Sequence, residues 1–170
     1  MLLFFVAVAL AACTQHPVSA ADPTTEVVAA GEVGSLLPDF NVKDLQGHPI
    51  ASTDLRGKVL IIDFWATWCG PCKQEMPGYQ KLLDRYGSQG LAVVGIRSNA
   101  MADTESSLKF AKKVGVYYPL VVATDDLERK FGGIVGLPTT LLYDRHGILR
   151  KKIIRFEYTD AIEAELKKLL

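Results

Sequence analysis

Two cysteines separated by two residues are the clearest chemical feature of this 170-residue sequence. Cys69 and Cys72 follow the apolar run 59–66 and open a stretch with helical periodicity. The first cysteine would therefore lie at a helix N-terminus, where free N–H groups and the helix dipole stabilise a thiolate. The second would lie one turn later on the same face, where it can attack a mixed disulfide formed by the first. This spacing predicts a dithiol that exchanges with other disulfides.

A structural zinc site and an inert core position are the two alternatives for such a cysteine pair. The chain has no second Cys-x-x-Cys pair, and its three histidines, His16, His48 and His146, are scattered. A Cys-x-x-Cys beside alternating strands and helices is typical of redox-active thiol proteins. We therefore expect no metal site and no cofactor besides the redox-active disulfide Cys69–Cys72.

Two acidic residues near the cysteines in the sequence could exchange protons with them. Asp63 lies within the apolar run 59–66, where burial disfavours the charged form and raises the pKa of a carboxyl group. Glu75 comes three residues after Cys72 and would share its side of the predicted helix. From its position alone, Glu75 could equally be a solvated charge on the helix surface.

Apolar runs and helical patterns alternate through the rest of the chain. A turn at 144–147 joins the last two strands, and a hairpin around Gln46 and Gly47 precedes the first long strand. This order predicts an α/β fold with a mixed central sheet and helices on both faces. Strands are expected at 59–66, 91–96, 120–123, 139–143 and 148–154, and helices at 70–86, 104–114, 125–131 and 159–170.

The N-terminal segment differs in composition from the rest. Residues 2–12 form an unbroken apolar run that is too short to span a membrane but suits the apolar region of a signal peptide. It ends in Leu10-Ala11-Ala12-Cys13, which resembles the lipobox of bacterial lipoproteins, whose cysteine carries the lipid. The expected segments are a lipoprotein signal peptide at 1–12, the lipidated Cys13 with a flexible tether at 13–35, and a folded domain at 36–170.

The charge balance excludes several classes of protein. Nineteen Lys and Arg residues match nineteen Asp and Glu residues, so no overall basic field would hold a nucleic acid. The hydrophobic content of 49% is ordinary for a globular domain, and three cysteines are too few for a scaffold built on disulfides. The composition therefore excludes nucleic-acid-binding, fibrous and disulfide-built proteins.

Two stretches of the sequence resemble the thioredoxin superfamily. Residues 63–73, Asp-Phe-Trp-Ala-Thr-Trp-Cys-Gly-Pro-Cys-Lys, are similar to the thioredoxin active-site stretch. Residues 136–140, Gly-Leu-Pro-Thr-Thr, resemble the loop that carries the cis-proline of that family. The resemblance covers residues 36–170 and implies a thioredoxin-like fold.

Further features resemble one branch of that superfamily, the TlpA/ResA-like extracytoplasmic thiol–disulfide oxidoreductases. Members of this branch have an N-terminal β-hairpin, matched in this chain by residues 33–57, and a central helix–strand insert, matched by residues 103–123. They also carry a Glu-x-Pro after the cysteine motif, which this chain has at residues 75–77.

The resemblance implies roles for individual residues. Asp63 corresponds to a buried acid that moves the proton of Cys72, and Glu75 to an acid that tunes the titration of the cysteines. A cis peptide bond before Pro138 would turn the backbone groups of the preceding residue toward the substrate chain. The other residues expected to contact the substrate are Trp68, Gly70, Pro71 and Leu137.

The sequence thus predicts a membrane-anchored, periplasmic thiol–disulfide oxidoreductase. The Gly-Pro pair between the cysteines resembles that of reducing family members, which favours reduction of protein disulfides over their formation. The resemblance implies protein substrates with a disulfide, such as apocytochrome c during cytochrome c maturation. It also implies a membrane thiol transporter as the electron donor.

Two other functions stay open at this stage. Residues 33–40 also resemble the start of peroxiredoxins, the AhpC/TSA-type thiol peroxidases. Their Pro-x-x-x-Thr/Ser-x-x-Cys motif is absent, because Ile62 and Ala66 stand where the proline and the hydroxyl residue would be. A copper-binding Sco-like module uses Cys-x-x-x-Cys with a distal histidine, and the spacing in this chain is one residue shorter.

Overall fold

Seven strands and four helices are found in the computed structural model, which describes residues 28–98 and 103–170. The strands are β1 (Asn41–Lys43), β2 (Pro49–Ala51), β3 (Val59–Trp65), β4 (Leu91–Arg97), β5 (Leu120–Val122), β6 (Thr139–Tyr143) and β7 (Leu149–Ile153). The helices are α1 (Gly70–Tyr86), α2 (Thr104–Val114), α3 (Asp125–Lys130) and α4 (Thr159–Leu166). The predicted order of elements is confirmed, and the bounds differ from it only near the ends of elements.

Strand β3 is the centre of a five-stranded mixed sheet with the order β5-β4-β3-β6-β7. Strands β3, β4 and β5 are parallel, whereas β6 runs antiparallel to β3 and β7 antiparallel to β6. Every residue of β3 is buried, which explains its nearly continuous apolar sequence. In the strand register Asp63 lies between Gly95 of β4 and Thr140 of β6. These three residues therefore share one face of the sheet.

Helices cover both faces of the sheet, as the sequence predicted. Val59, Ile61 and Trp65 of β3 pack in a core with α1, α2 and α4. The alternate residues Leu60, Ile62 and Phe64 pack on the opposite side with α3 and the N-terminal hairpin. Because side chains alternate along a strand, Asp63 faces the same side as Ile61 and Trp65, beneath helix α1.

The two predicted hairpin turns are built in the same way. In each, an aspartate carboxylate, of Asp44 or Asp144, accepts the N–H groups two and four residues further on at 2.8–3.0 Å. A glycine, Gly47 or Gly147, then takes a positive φ that other residues rarely adopt. Burial alone would raise the pKa of each aspartate, but hydrogen bonds to the charged form outweigh it and lower the pKa.

Residues just before 36, the predicted start of the folded domain, already make backbone contacts with it. The Gly34 N–H donates to the Leu149 carbonyl at 2.8 Å, and the Leu149 N–H donates to the Ser35 carbonyl at 2.9 Å. A Cβ on Gly31 would collide with the Phe131 carbonyl, so the small residue serves close packing of two backbones. The predicted signal peptide and Cys13 lie outside the described residues.

Helices α1 and α4 meet at a glycine. A Cβ on Gly78 would overlap the Thr159 Oγ1 and lie 3.2 Å from the Thr159 Cβ. Thr159 is the first residue of α4, so this contact fixes where α4 begins relative to α1. The chain just before α4 is thereby held beside the cysteine-bearing helix.

We expect Gly78→Ala to lower the free energy of unfolding by about 1–3 kcal/mol, because the added methyl group overpacks the contact with Thr159. Adding Thr159→Ala should recover part of that loss, since it removes the overlapping Oγ1. Gly87→Ala is the matched control, because its Cβ would meet nothing nearer than 3.5 Å. Urea unfolding midpoints test this, and equal midpoints for Gly78→Ala and Gly87→Ala would contradict the packing argument.

Candidate active site

Cys69 and Cys72 form a disulfide at the start of α1, with their Cα atoms 5.4 Å apart. Cys69 is the N-cap residue of the helix, and its Sγ accepts the N–H of Cys72 at 3.2 Å. Pro71 occupies the first turn, where the N–H that it lacks would have no partner within the helix. In the reduced protein this hydrogen bond and the helix dipole would both stabilise a thiolate on Cys69.

The two sulfur-bearing residues differ in access to solvent. Cys69 is 4% exposed and Cys72 is completely buried. Beside them, the Trp68 ring is exposed, and a Cβ on Gly70 would meet no atom within 4 Å. An incoming thiol or disulfide can therefore reach Cys69 across an open surface, but not Cys72.

A cis peptide bond joins Leu137 to Pro138. Thr139 follows it as the first residue of β6 and pairs with Phe64 near the carboxyl end of β3. The Thr139 hydroxyl donates to the Gly136 carbonyl at 2.7 Å, which closes the loop. Because the cysteine motif also follows the carboxyl end of β3, the cis-proline loop and the disulfide lie at the same end of the sheet.

Asp63 is completely buried, and neither of its carboxyl oxygens has a hydrogen-bond partner among the described residues. The space over its neighbour Gly95 is filled, since a Cβ there would lie 3.2 Å from the Tyr118 ring and 3.3 Å from Trp65 Nε1. Burial raises the pKa of Asp63 well above its ordinary value, and the charge of Glu75 raises it further. Asp63 therefore holds a proton much more strongly than an aspartate in water.

Glu75 is only 2% exposed, which decides between the two interpretations that its position in the sequence allowed. One carboxylate oxygen accepts the N–H of Glu157 at 2.5 Å, and the other has no partner among the described residues. Burial raises the pKa of Glu75 from about 4.5 to about 7, although the Glu157 N–H favours the charged form. A carboxyl group with this pKa exchanges its proton near neutral pH.

Two tyrosines complete a buried acidic cluster, which we define as Asp63, Glu75, Tyr79 and Tyr118. The Tyr79 hydroxyl lies 2.8 Å from the Thr140 Oγ1, on the strand next to Asp63. Burial raises the pKa of both tyrosines, and the two acids raise it further. Both tyrosines lie in the same core as the cysteine pair.

The sequence indicated only part of this cluster. Tyr79 lies one helical turn after Glu75, so the period of α1 could have identified it. Tyr118 precedes β5 in a separate part of the chain, and no local pattern links it to the cysteines. The cluster is formed by tertiary packing of Tyr118 over Gly95.

Metal-ligating side chains are not grouped in residues 28–98 and 103–170, where no three of His, Cys, Asp and Glu could hold one ion together. His48 and His146 lie in the two hairpin turns. A copper site of the Sco-like type would need a histidine near the cysteine pair, so the described residues offer it no support.

Comparison with known proteins indicates the same thiol–disulfide chemistry as the geometry of the cysteine pair. The model of the AhpC/TSA family matches residues 33–152. The thiol-disulfide oxidoreductase ResA of Geobacillus thermodenitrificans is 35% identical over 137 residues, covering 81% of this chain and 78% of ResA. The chain belongs to the AhpC/TSA family, among its ResA-like thiol–disulfide oxidoreductases.

Other similar proteins agree with this assignment. The thioredoxin-like protein YneN of Bacillus subtilis is 32% identical over 118 residues, covering 69% of this chain and 68% of YneN. A crystal structure of a thiol:disulfide interchange protein of the thioredoxin family from Chlorobium tepidum superposes with a TM-score of 0.75 at 30% identity. The match covers 82% of this chain and 99% of that one. The thioredoxin-like fold expected from the sequence is confirmed.

We expect Glu75→Gln to stabilise the oxidised protein more at pH 8 than at pH 5. A carboxyl group whose pKa is raised on folding contributes stability at low pH, and that stability is lost as the pH rises through about 7. Glutamine cannot ionise but keeps an oxygen for the Glu157 N–H. The gain of the variant over the wild type should therefore grow by about 2–3 kcal/mol between these pH values.

Denaturant unfolding of the oxidised proteins at both pH values tests this. Glu105→Gln is the control, because the Glu105 side chain is exposed and bonds an exposed lysine. A gain for Glu75→Gln that is the same at pH 5 and pH 8 would contradict a buried, proton-binding Glu75.

Proposed function

We propose that this oxidoreductase is a membrane-tethered, extracytoplasmic reductase of protein disulfides that acts through Cys69 and Cys72. The observation that carries the proposal is the disulfide at the start of α1, in which only Cys69 reaches solvent. The buried acidic cluster, whose Glu75 follows Cys72 by three residues on α1, would supply the proton acceptor that a dithiol reductase needs at its second cysteine.

The first step is attack by the Cys69 thiolate on one sulfur of a client disulfide. A bond forms between that sulfur and the Cys69 Sγ while the client S–S bond breaks, and its electron pair leaves with the other client sulfur. The released client thiolate takes a proton from water. The N-cap position of Cys69 favours this step, since it stabilises the attacking thiolate.

The second step is attack by Cys72 on the Cys69 Sγ. Cys72 gives its proton to Glu75, whose pKa of about 7 leaves it partly ionised at neutral pH. Asp63 keeps its own proton, because a second negative charge beside the ionised Glu75 would be unfavourable in this buried site. The Cys69–Cys72 disulfide forms, and the second client sulfur leaves as a thiolate and is protonated. Two electrons have passed to the client, and a dithiol donor must then reduce the enzyme.

The open surface around Cys69 suits a polypeptide client. Trp68 offers an exposed ring, while Gly70 and Pro71 leave the approach to the sulfur unobstructed. The cis bond before Pro138 supports pairing of a client strand with the Leu137 backbone. The Gly-Pro pair between the cysteines, which resembles that of reducing family members, supports reduction as the direction of exchange.

The proposed location rests on the N-terminal sequence. Residues 1–12 would be removed as a signal peptide, and Cys13 would carry the lipid that holds the protein at the membrane surface. Within the described residues, no helix has the length and apolar character of a membrane span. Apocytochrome c as a client and a membrane thiol transporter as the electron donor follow from the resemblance to the TlpA/ResA-like branch.

Trapping with cysteine variants tests the exchange mechanism. Cys72→Ser should stop after the first step and accumulate a mixed disulfide with insulin at Cys69, whereas Cys69→Ser should accumulate none. Both variants should reduce insulin only at the background rate. Insulin trapped through Cys72, or reduction that survives Cys69→Ser, would contradict the assignment of Cys69 as the attacking cysteine and Cys72 as the resolving one.

The same proteins separate reduction from peroxidase activity. The reduced wild type should consume hydrogen peroxide no faster than Cys69→Ser, because the hydroxyl residue that assists peroxidatic cysteines is replaced by Ala66. Rapid, Cys69-dependent consumption of peroxide would instead favour the thiol peroxidase function.

Cell fractionation tests the anchor. The wild type should be recovered with membranes and incorporate labelled palmitate, and Cys13→Ser should do neither. Thr14→Ser is the matched control and should behave as the wild type. Absence of label from the wild type would rule out the lipid anchor and leave the exchange mechanism unaffected.

A further inference from the structure

Residues 154–159, which we call the β7–α4 segment, contact three parts of the site. At one end Ile154 packs beside the cis-proline loop, where a Cβ on Gly136 would lie 3.3 Å from the Ile154 side chain. In the middle the Glu157 N–H donates to Glu75. At the other end Thr159 packs against Gly78 of α1. The segment thus connects the cis-proline loop, the acidic cluster and the cysteine-bearing helix.

The backbone of Glu157 is held in place from both sides. Its neighbours Phe156 and Tyr158 pack edge to face with their ring centroids 5.0 Å apart. Tyr158 is the N-cap residue of α4, so the start of the helix sets the path of the main chain directly after Glu157. The Glu157 N–H is therefore a fixed donor.

The side chain and the main chain of Glu157 have opposite effects on Glu75. The Glu157 carboxylate accepts the N–H of Tyr158 at 3.2 Å, so it is folded back over the segment. From there its negative charge raises the pKa of Glu75, whereas the Glu157 N–H lowers it. One residue therefore acts on Glu75 in two opposite directions.

We propose that Glu157 is a positioning residue for Glu75: its N–H fixes one carboxylate oxygen, and its side-chain charge opposes the ionisation of that carboxylate. The β7–α4 segment thus sets the charge of Glu75. The inference deepens the proposed function, since it acquires a catalytic consequence only if Glu75 receives the proton of Cys72.

The groups that face Glu75 come from several elements. Those other than Glu157 are buried or nearly so, and their environment is set by the core. They are Asp63 on β3, Tyr79 on α1 and Tyr118 before β5, and Cys72 precedes Glu75 by three residues on α1. Glu157 differs from them because its side chain is only partly buried. Its charge can therefore be changed by substitution without placing a new group in the core.

Carbon-13 NMR titration of the Glu75 carboxyl in the oxidised protein measures the effect directly. Glu157→Gln removes the charge and keeps the N–H, so the midpoint should fall by about half a pH unit. Glu157→Lys reverses the charge and should lower it further. Glu157→Pro removes both the N–H and the charge, and it should raise the midpoint because the N–H has the larger effect on Glu75. Asp160→Asn, which removes an exposed acid in the first turn of α4, is the control and should leave it unchanged.

The opposite signs separate positioning from a general loss of structure, which would move all variants in one direction. An unchanged midpoint in both Glu157→Gln and Glu157→Lys would overturn the inference, and so would a fall in Glu157→Pro. If Glu157→Pro does not fold, the two charge variants still decide.

The pH profile of insulin reduction by the same variants tests the link to function. A profile that follows the NMR midpoints supports both proposals. Midpoints that shift while the profile stays fixed would overturn the role of Glu75 as proton acceptor and leave the positioning role of Glu157 supported.

Discussion

Two carboxyl groups share one buried space beneath the cysteine pair, and a poorly hydrated interior resists holding two negative charges there. Asp63 has no polar partner among the described residues, whereas Glu75 has a single N–H donor. This difference divides their roles, because Asp63 keeps its proton while Glu75 exchanges one near neutral pH. The proposed exchange mechanism depends on that division, since a buried cysteine can lose its proton only to a neighbour that is able to accept it.

The fold brings these groups together by means of its central strand. Strand β3 carries Asp63 in its middle and leads directly into the cysteine motif, so the acid and the disulfide are fixed by one continuous backbone. The antiparallel β6 places the cis-proline loop at the same end of the sheet. The segment before α4 then covers the acidic cluster from the side. Three separate stretches of the chain thus contribute to the site, and a packed core lies on each side of the sheet.

The parts of the site that follow from short-range patterns could be predicted from the sequence. The cysteine spacing, the apolar run around Asp63 and the Gly-Leu-Pro stretch each specify local geometry, and the structure has all three. The environment of Glu75 could not be predicted from the local sequence, because its carboxylate is bonded by the N–H of Glu157, far along the chain. The contacts made before residue 36 could not be predicted for a related reason. A stretch rich in small residues resembles a linker, but Gly31 uses its small size to bring two backbones into contact.

Gly95 gives this arrangement an unexpected weakness. It sits beside Asp63 and has no side chain, which leaves room for Leu120, Tyr118 and Trp65 to pack next to the acid. The strength of an acid in the centre of the protein is therefore set in part by a residue that carries no charge and forms no side-chain bond. A larger residue at position 95 could therefore alter the redox chemistry by displacing the side chains next to Asp63, without adding or removing a charge. A survey of variants confined to ionisable residues would not detect the cause.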